Sequence, residues 1–556
     1  MPSLATGVLL LLGFHAMGLG PALLLRRWAE LPWRYVCLLV LLTTSVLSYA
    51  AFWVAFIAPA TRVPVVGAIL LGSVGVLPLA VPRGQFAATV GRASAWGPSL
   101  ATALLAAACL WPLLIAGPVV NDRFTWKLPS DNILPGLFAH RVTSGSTVRP
   151  VPPLWPNGDR ASERPPLQAA VVAIVGSAVP GLGGDEYQEL ATWCQAQWLP
   201  ALFLVGMACR VRRGVLTIAL GTCVFSGFFF VNTVYTWPKL LAAALMLGAL
   251  AIAIEPAAAA PRAARVRTIA AATLATLSLL AHPGPAFSLL AVPLCWRFLR
   301  PLLQLPVTRA AVAWSALTAV ALCGPWVAYQ ALVDPPTGRL MREHLGDGRA
   351  AESALASVSR ANLERPLREH LRVRLANVAG QLGNPLAAVW PHSIAEGQSQ
   401  QFFRHGASLG VLLVGFVLAL AWPARGDAAA DAVRRLAGFA LVALILWSLM
   451  VFSPGQALIH HGSPVTTSLL FFAGAYGLSM LPRLGTALLL GAHVLGFFVI
   501  WIVPMGSGLW RPDGSGAWQA AGFAVLACAA LLVLYASHDR TGSDHRAESP
   551  EGSSRP

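Results

Sequence analysis

Residues 4–58 read LATGVLLLLGFHAMGLGPALLLRRWAELPWRYVCLLVLLTTSVLSYAAFWVAFIA. Two apolar runs, 4–25 and 35–58, flank a short link that holds Arg26, Arg27 and Arg34. A helix needs about 20 mostly apolar residues to cross a hydrocarbon layer, and each run supplies them. Arginine and lysine collect on the cytoplasmic side of a membrane, so the link is expected inside and the N-terminus outside. A secretory leader has the opposite order, with positive charge ahead of the apolar stretch.

The alternation continues outward from this hairpin. Runs at 64–81 and 97–120 follow, with Arg83 and Arg92 on the inner side. The whole chain has the same character: 556 residues, 56% hydrophobic and 11% charged, with a mean hydropathy of +0.65. Those values exclude an ordinary soluble globular protein and a disordered chain. Of 39 basic residues only Lys127 and Lys239 are lysines, a skew that suggests a GC-rich bacterial genome. A net charge of +16 would suggest nucleic acid in a soluble protein, but these arginines stand between apolar runs, as topology signals do. The cysteines lie in or beside apolar runs without CxxC spacing and read as small buried hydrophobes, with no redox or zinc signal.

The fourth run exits into a polar stretch, 121–168, that carries Asp122, Asp131, Asp159, Glu163 and Arg164. This is the first large external loop. The next apolar piece, 167–182, is short and contains Pro180; if it crossed, Arg210, Arg212 and Arg213 would fall outside, so it is assigned to the interface. Runs near Gln197 and at 214–232, 237–254, 268–281, 285–297 and 310–332 then place Arg262, Arg265, Arg267, Arg297, Arg300 and Arg309 inside. A second external loop, 334–403, has helical patterning over 360–378, and five more runs start near Ser408, Leu436, Pro464, Gly485 and Trp518.

The expectation is an all-α polytopic membrane protein of about 15 transmembrane helices, with two large external loops containing interfacial helices. It sits in the bacterial cytoplasmic (inner) membrane, N-terminus outside and C-terminus cytoplasmic. Its regions are a three-helix extension at 1–96, a membrane core at 97–332 with the first loop at 121–168, the second loop within 333–403, C-terminal membrane helices at 404–537 and a disordered cytoplasmic tail at 538–556. No internal repeat is visible.

Charge is costly within hydrocarbon, so acids and bases that do chemistry belong in the external loops. The first loop reads NDRFTWKLPSDNILPGLFAHRVTSG at 121–145 and PVPPLWPNGDRASERPPLQAAVV at 150–172. Asp131 and Asn132 stand before a helical stretch, 133–139, which such short polar residues cap well. Asp122 follows the fourth run and has Arg123 as a neighbour to pair with. Lys239 beside Trp237 reads either as a ligand for a lipid phosphate or as a side chain that snorkels to headgroups with Trp237 as an aromatic anchor. His282, before Pro283 and Gly284, marks either a break near a cavity or a plain hairpin turn. His460 and His461 are adjacent and so do not share a helix face, which argues against a metal pair. GLGG at 181–184 lacks the strand and helix of a nucleotide loop.

An acidic site before a helix, followed some thirty residues later by Glu163-Arg164-Pro165-Pro166-Leu167, resembles the first periplasmic loop of the GT-C glycosyltransferases. It is most similar to the family 39 and aminoarabinose-transferase type. LLAHPGPAFSLLAVP at 279–293 is similar to that family's L-T-K-G-x-x-A-L-x-L-P hairpin, with His282 where lysine is common. The order of motifs agrees over 97–332. The resemblance implies a GT-C-like fold and transfer of a sugar, with inversion, from a polyprenyl-phosphate donor to a lipid or glycan acceptor of the cell envelope.

On that footing Asp131 is the expected catalytic base, with Asp122 its rival. Arg164 holds phosphate in a fork geometry and Glu163 orients it or the sugar hydroxyls, while Asn132, Lys239 and His282 bind substrate. Asn132 stands where the family has a second acid, so a divalent metal is left open and no metal ligands are assigned. The partners implied are the lipid-linked donor, the acceptor and membrane lipids, with no nucleic acid. The competing class is a transporter or flippase for a lipid-linked glycan, or a non-catalytic assembly subunit. Coupled transporters carry ionisable groups deep in their spans, whereas here the acids gather in loops.

Overall fold

A computed structural model of the chain describes residues 4–81, 93–116, 132–145, 160–179, 186–305, 308–335, 354–382, 409–422, 426–449, 463–502 and 515–539. Every regular element among them is a helix. The α-helices are α1 (Leu4–Ala29), α2 (Val36–Ile57), α3 (Arg62–Ala80), α4 (Ala93–Ala116), α5 (Leu134–Thr143), α6 (Leu167–Ser177), α7 (Glu186–Ala196), α8 (Trp198–Ala208), α9 (Arg213–Val224), α10 (Gly227–Val234) and α11 (Lys239–Ile254). They continue as α12 (Pro261–Ala281), α13 (Ala286–Leu294), α14 (Trp296–Leu299), α15 (Arg309–Leu332), α16 (Ala354–Leu363), α17 (Leu367–Leu382), α18 (Leu412–Ala421), α19 (Ala428–Leu449), α20 (Pro464–Leu478), α21 (Arg483–Phe497) and α22 (Ser515–Asp539).

Eight helical stretches among the described residues are long and apolar enough to cross a membrane, and α9 with α10, bent by 58°, makes a ninth. The chain is therefore a multi-pass membrane protein. The sequence count of about 15 covers the whole chain, and among the described residues several of its runs are shorter or broken. The run expected at 285–297 is split into the nine residues of α13 and the four of α14, with Pro293 in the last turn of α13. The run at 237–254 loses its start to the Thr236–Pro238 link, leaving 16 residues in α11. At about 1.5 Å per residue that helix is shorter than the hydrocarbon layer. The stretch at 360–378 is two helices, since Pro366 cannot continue the first. The helix expected at 133–139 runs on to Thr143 with Ile133 as its N-cap, which makes no side-chain capping bond.

Contacts between distant segments show two ends to the bundle. At one end the Arg62 guanidinium reaches the Thr143 carbonyl, Phe52 meets Phe138 with ring centres 5.2 Å apart, and Tyr329 at the end of α15 packs on Phe56 and Phe138. Both loop-bearing segments thus start from the same end. At the opposite end Arg34 pairs with Glu255 at 2.6 Å, Tyr35 donates to the other Glu255 oxygen at 2.7 Å, and Arg267 donates to the Ala29, Glu30 and Pro256 carbonyls. The sequence reading put Arg34 and Arg267 on one side, and they meet there around one buried carboxylate.

Candidate functional site

The segment carrying Arg164 is shaped before any side chain of the site is considered. Residues Ala161–Glu163 form one 3-10 turn, and the Arg160 N–H donates to Glu163 Oε2 at 3.2 Å. Asp334, only 1% exposed, grips this turn from the far end of α15. Its Oδ1 accepts from the Arg160 guanidinium at 2.9 Å and its Oδ2 from the Ser162 N–H at 3.0 Å. Gln330 donates to the Ser162 carbonyl at 2.8 Å. Bonds to an ionised acceptor are the stronger kind, so the turn before Arg164 is held from two directions. Pro165 and Pro166 then lead into α6, whose N-cap is Pro166.

The second part of the site forms where α10 ends. Thr236 sits at φ +56°, a left-handed conformation that is strained for a β-branched residue. The Thr236–Pro238 link turns the chain so that Trp237 and Lys239 face inward, 3% and 2% exposed. The Lys239 ammonium lies 3.8 Å from the centre of the Trp237 ring, a cation–π contact. On another side of Trp237 stands His282, edge to face at 6.0 Å between ring centres. A lysine buried this deeply does not snorkel, so the membrane-anchor reading of Lys239 and Trp237 gives way to an internal one.

His282 closes α12 as its C-cap. Its Nδ1 accepts the Gly284 N–H at 3.0 Å, so a neutral ring carries its proton on Nε2. Burial, then the positive charges of Lys239 and Arg164, hold its pKa well below the usual histidine value. Lys239 and Arg164 thus lie close enough for their charges to act on His282, although the three residues come from separate segments. Gly284 lies against Pro464 at the start of α20, and Ser288 meets Ser463 at 3.0 Å.

Beneath these residues a buried polar chain crosses the bundle. The Leu240 and Leu241 N–H groups, both at 2.9 Å, donate to Gln195 Oε1. The free donors at the start of α11 are thereby taken by a side chain, so an anion there would meet the Lys239 side chain rather than that helix end. Gln195 donates onward to Gln168 Oε1 at 2.6 Å. Gln168 donates to Tyr187 Oη at 2.9 Å and to the Thr236 carbonyl at 2.7 Å, and Tyr187 donates to the Asn132 carbonyl. The Asn132 side chain is buried, 4% exposed, and its Oδ1 has no hydrogen-bond partner among the described residues.

Of the residues singled out in the sequence, Lys239 and His282 meet on Trp237, Arg164 is near enough for its charge to act on His282, Asn132 is tied to Lys239 through the buried chain, and Glu163 braces the turn that precedes Arg164. Asp122 and Asp131 lie outside the described residues, as do the GLGG segment and His460–His461. Among the described residues no group of three or more His, Cys, Asp or Glu side chains could hold a metal ion. The sequence reading did not find Asp334, Tyr187, Gln168 or Gln195. Asp334 had one usable signal, an acid next to Pro335 at the exit of an apolar run; the others had none.

No family model matches the chain, and no curated protein matches it. Among solved structures one similarity is found. The chain is similar to ArnT from Cupriavidus metallidurans, whose structure was solved bound to undecaprenyl phosphate. The two share 14% identity, with a TM-score of 0.39 over 78% of this chain and 79% of that one.

Proposed function

We propose that this protein is a membrane glycosyltransferase that moves a sugar from a polyprenyl-phosphate donor to a cell-envelope acceptor at the outer face of the cytoplasmic membrane. The observation that carries the reading is the buried Lys239 and His282 side chains meeting on Trp237, with the half-buried Arg164 near enough for its charge to act on His282. A phosphate that leaves with its negative charge needs such preorganised donors. Arg164 supplies a planar fork, Lys239 a point charge steadied by Trp237, and His282 a neutral N–H. Asn132, with its buried Oδ1, is the group for a hydroxyl of sugar or acceptor.

The reaction itself comes from the resemblance of residues 163–167 and 279–293 to the GT-C enzymes, with 97–332 as the catalytic core. In this reading Asp131 takes the proton of the acceptor hydroxyl as its oxygen bonds to the anomeric carbon, and the carbon–oxygen bond to the lipid phosphate breaks. The test uses membranes that carry a radiolabelled polyprenyl-phosphate sugar. Asp131→Asn is expected to lower transfer by about 100-fold with the protein still folded, and Arg164→Lys to weaken donor use more than acceptor use. Near-normal transfer by Asp131→Asn moves the role to Asp122; if Asp122→Asn is active too, the transporter reading replaces this one.

A further inference from the structure

We infer that Tyr187, Gln168 and Gln195 are positioning residues, a one-way chain of hydrogen bonds that sets the first-loop backbone at Asn132 against the start of α11, where Lys239 stands. The inference rests on the glycosyltransferase reading, because it supplies the meaning of the two ends: one adjoins the expected base Asp131, the other bears a cation for the leaving phosphate.

The direction of the chain follows from its first member. With Gln195 Oε1 committed to two backbone N–H groups, its Nε2 must face Gln168 Oε1. That fixes Gln168 Nε2 toward Tyr187 Oη and the Thr236 carbonyl, and directs the phenol proton to the Asn132 carbonyl, the Thr236 carbonyl being its more distant acceptor at 3.5 Å. No amide can flip without breaking its neighbours' bonds. Gln168 and Gln195 are fully buried, where an unmade bond costs more than a made one gains. The same chain holds the strained Thr236 carbonyl, the hinge that turns Trp237 and Lys239 inward. Tyr187 lies close against α5 because residue 136 is glycine; a Cβ there would come within 2.9 Å of the ring. An apolar core would hold these helices together equally well, but it would not fix the register of two ends that must meet one substrate.

Gln188 supplies a control. It sits on the same helix and donates to the Val234 carbonyl at 2.7 Å, at the end of α10, but it bonds neither Asn132 nor the start of α11. In full-length protein in native membranes, Tyr187→Phe removes the last bond and keeps the ring on Gly136. It should lower kcat by about tenfold, since small misplacement near a reacting centre is costly, and change the donor KM by less than about twofold. Adding Gln195→Met should cause little further loss, because both changes break one chain, while Gln188→Met should leave kcat unchanged. Hydrogen exchange over Leu134–Thr143 should quicken in Tyr187→Phe and not in Gln188→Met. Unchanged kcat in Tyr187→Phe, or an equal loss in Gln188→Met, overturns the proposal. If the wild-type protein transfers no sugar, the glycosyltransferase reading fails by itself, and unchanged exchange over Leu134–Thr143 in Tyr187→Phe then overturns the positioning chain independently.

Discussion

The His282 imidazole is surrounded by protein and faces two positive side chains, so protonating it is unfavourable in the folded state. Its folded pKa lies below the ordinary value of 6.5. The unfolded chain takes up a proton near 6.5 that the native one refuses, so stability is undiminished above that pH and falls as pH drops below it toward the folded value. Thermal midpoints in detergent should therefore decline between pH 7 and pH 5, and His282→Asn should flatten the decline. Added polyprenyl phosphate should also flatten it, because a bound anion offsets the two cations. At Lys239 the charge and the packing can be separated. Lys239→Met keeps the apolar contact with Trp237 and removes a buried charge, so the thermal midpoint should hold or rise while binding of polyprenyl phosphate, followed by native mass spectrometry, weakens at least about tenfold.

Two elements are held by backbone geometry rather than by side-chain chemistry. Where α18 crosses α20, a Cβ on Gly477 would lie 1.8 Å from the Gly415 carbonyl oxygen, and one on Gly415 would lie 1.9 Å from that of Gly474. Those neighbours are backbone and have nowhere to go, as in the small-residue contacts of membrane helices. Gly477→Ala should force the pair apart and cost about 1–3 kcal/mol, read as a lower midpoint in fluorescence-detected size exclusion after heating. The Thr236 link shows the opposite sign. Relief of a left-handed threonine is worth about 1–3 kcal/mol, less the extra chain freedom of glycine, so Thr236→Gly should raise the midpoint while lowering sugar transfer, because the turn toward Trp237 and Lys239 loosens.

These elements mark the limit of what the sequence could tell. Arg164, Lys239 and His282 stood out because lysine is rare here and because short motifs surround them. Helix positions were legible wherever one apolar run is one helix, as in α2, α3 and α15. The break at residues 225–226 was not, since they look like any span residue until the backbone turns there, whereas Thr236 already lay between two runs. Glutamines such as Gln168 and Gln195 gain their role only from partners 27 and 45 positions away, and no spacing rule encodes that.

At the scale of the molecule, the ends of the bundle are fixed relative to each other while their assignment to the two sides of the membrane is a matter for labelling. In a Cys528→Ser background, which removes an exposed native thiol, a cysteine at Ser144 should react with an impermeant maleimide from the periplasmic side. Cysteines at Thr308 or Asp427 should react only after permeabilisation; the reverse pattern would invert the topology drawn from the arginines. The same arginines also set a timetable. Arg34 and Glu255 are 221 residues apart, which at about 5–20 residues per second of synthesis means roughly 10–45 s between the emergence of one and the other. For that interval the first hairpin is in the membrane with Arg34 lacking its carboxylate, a free cation at the surface where it can hold the hairpin's orientation. Once Glu255 arrives, that charge is absorbed into the ion cluster, and what is first a cation at the surface ends as a lock on the finished bundle.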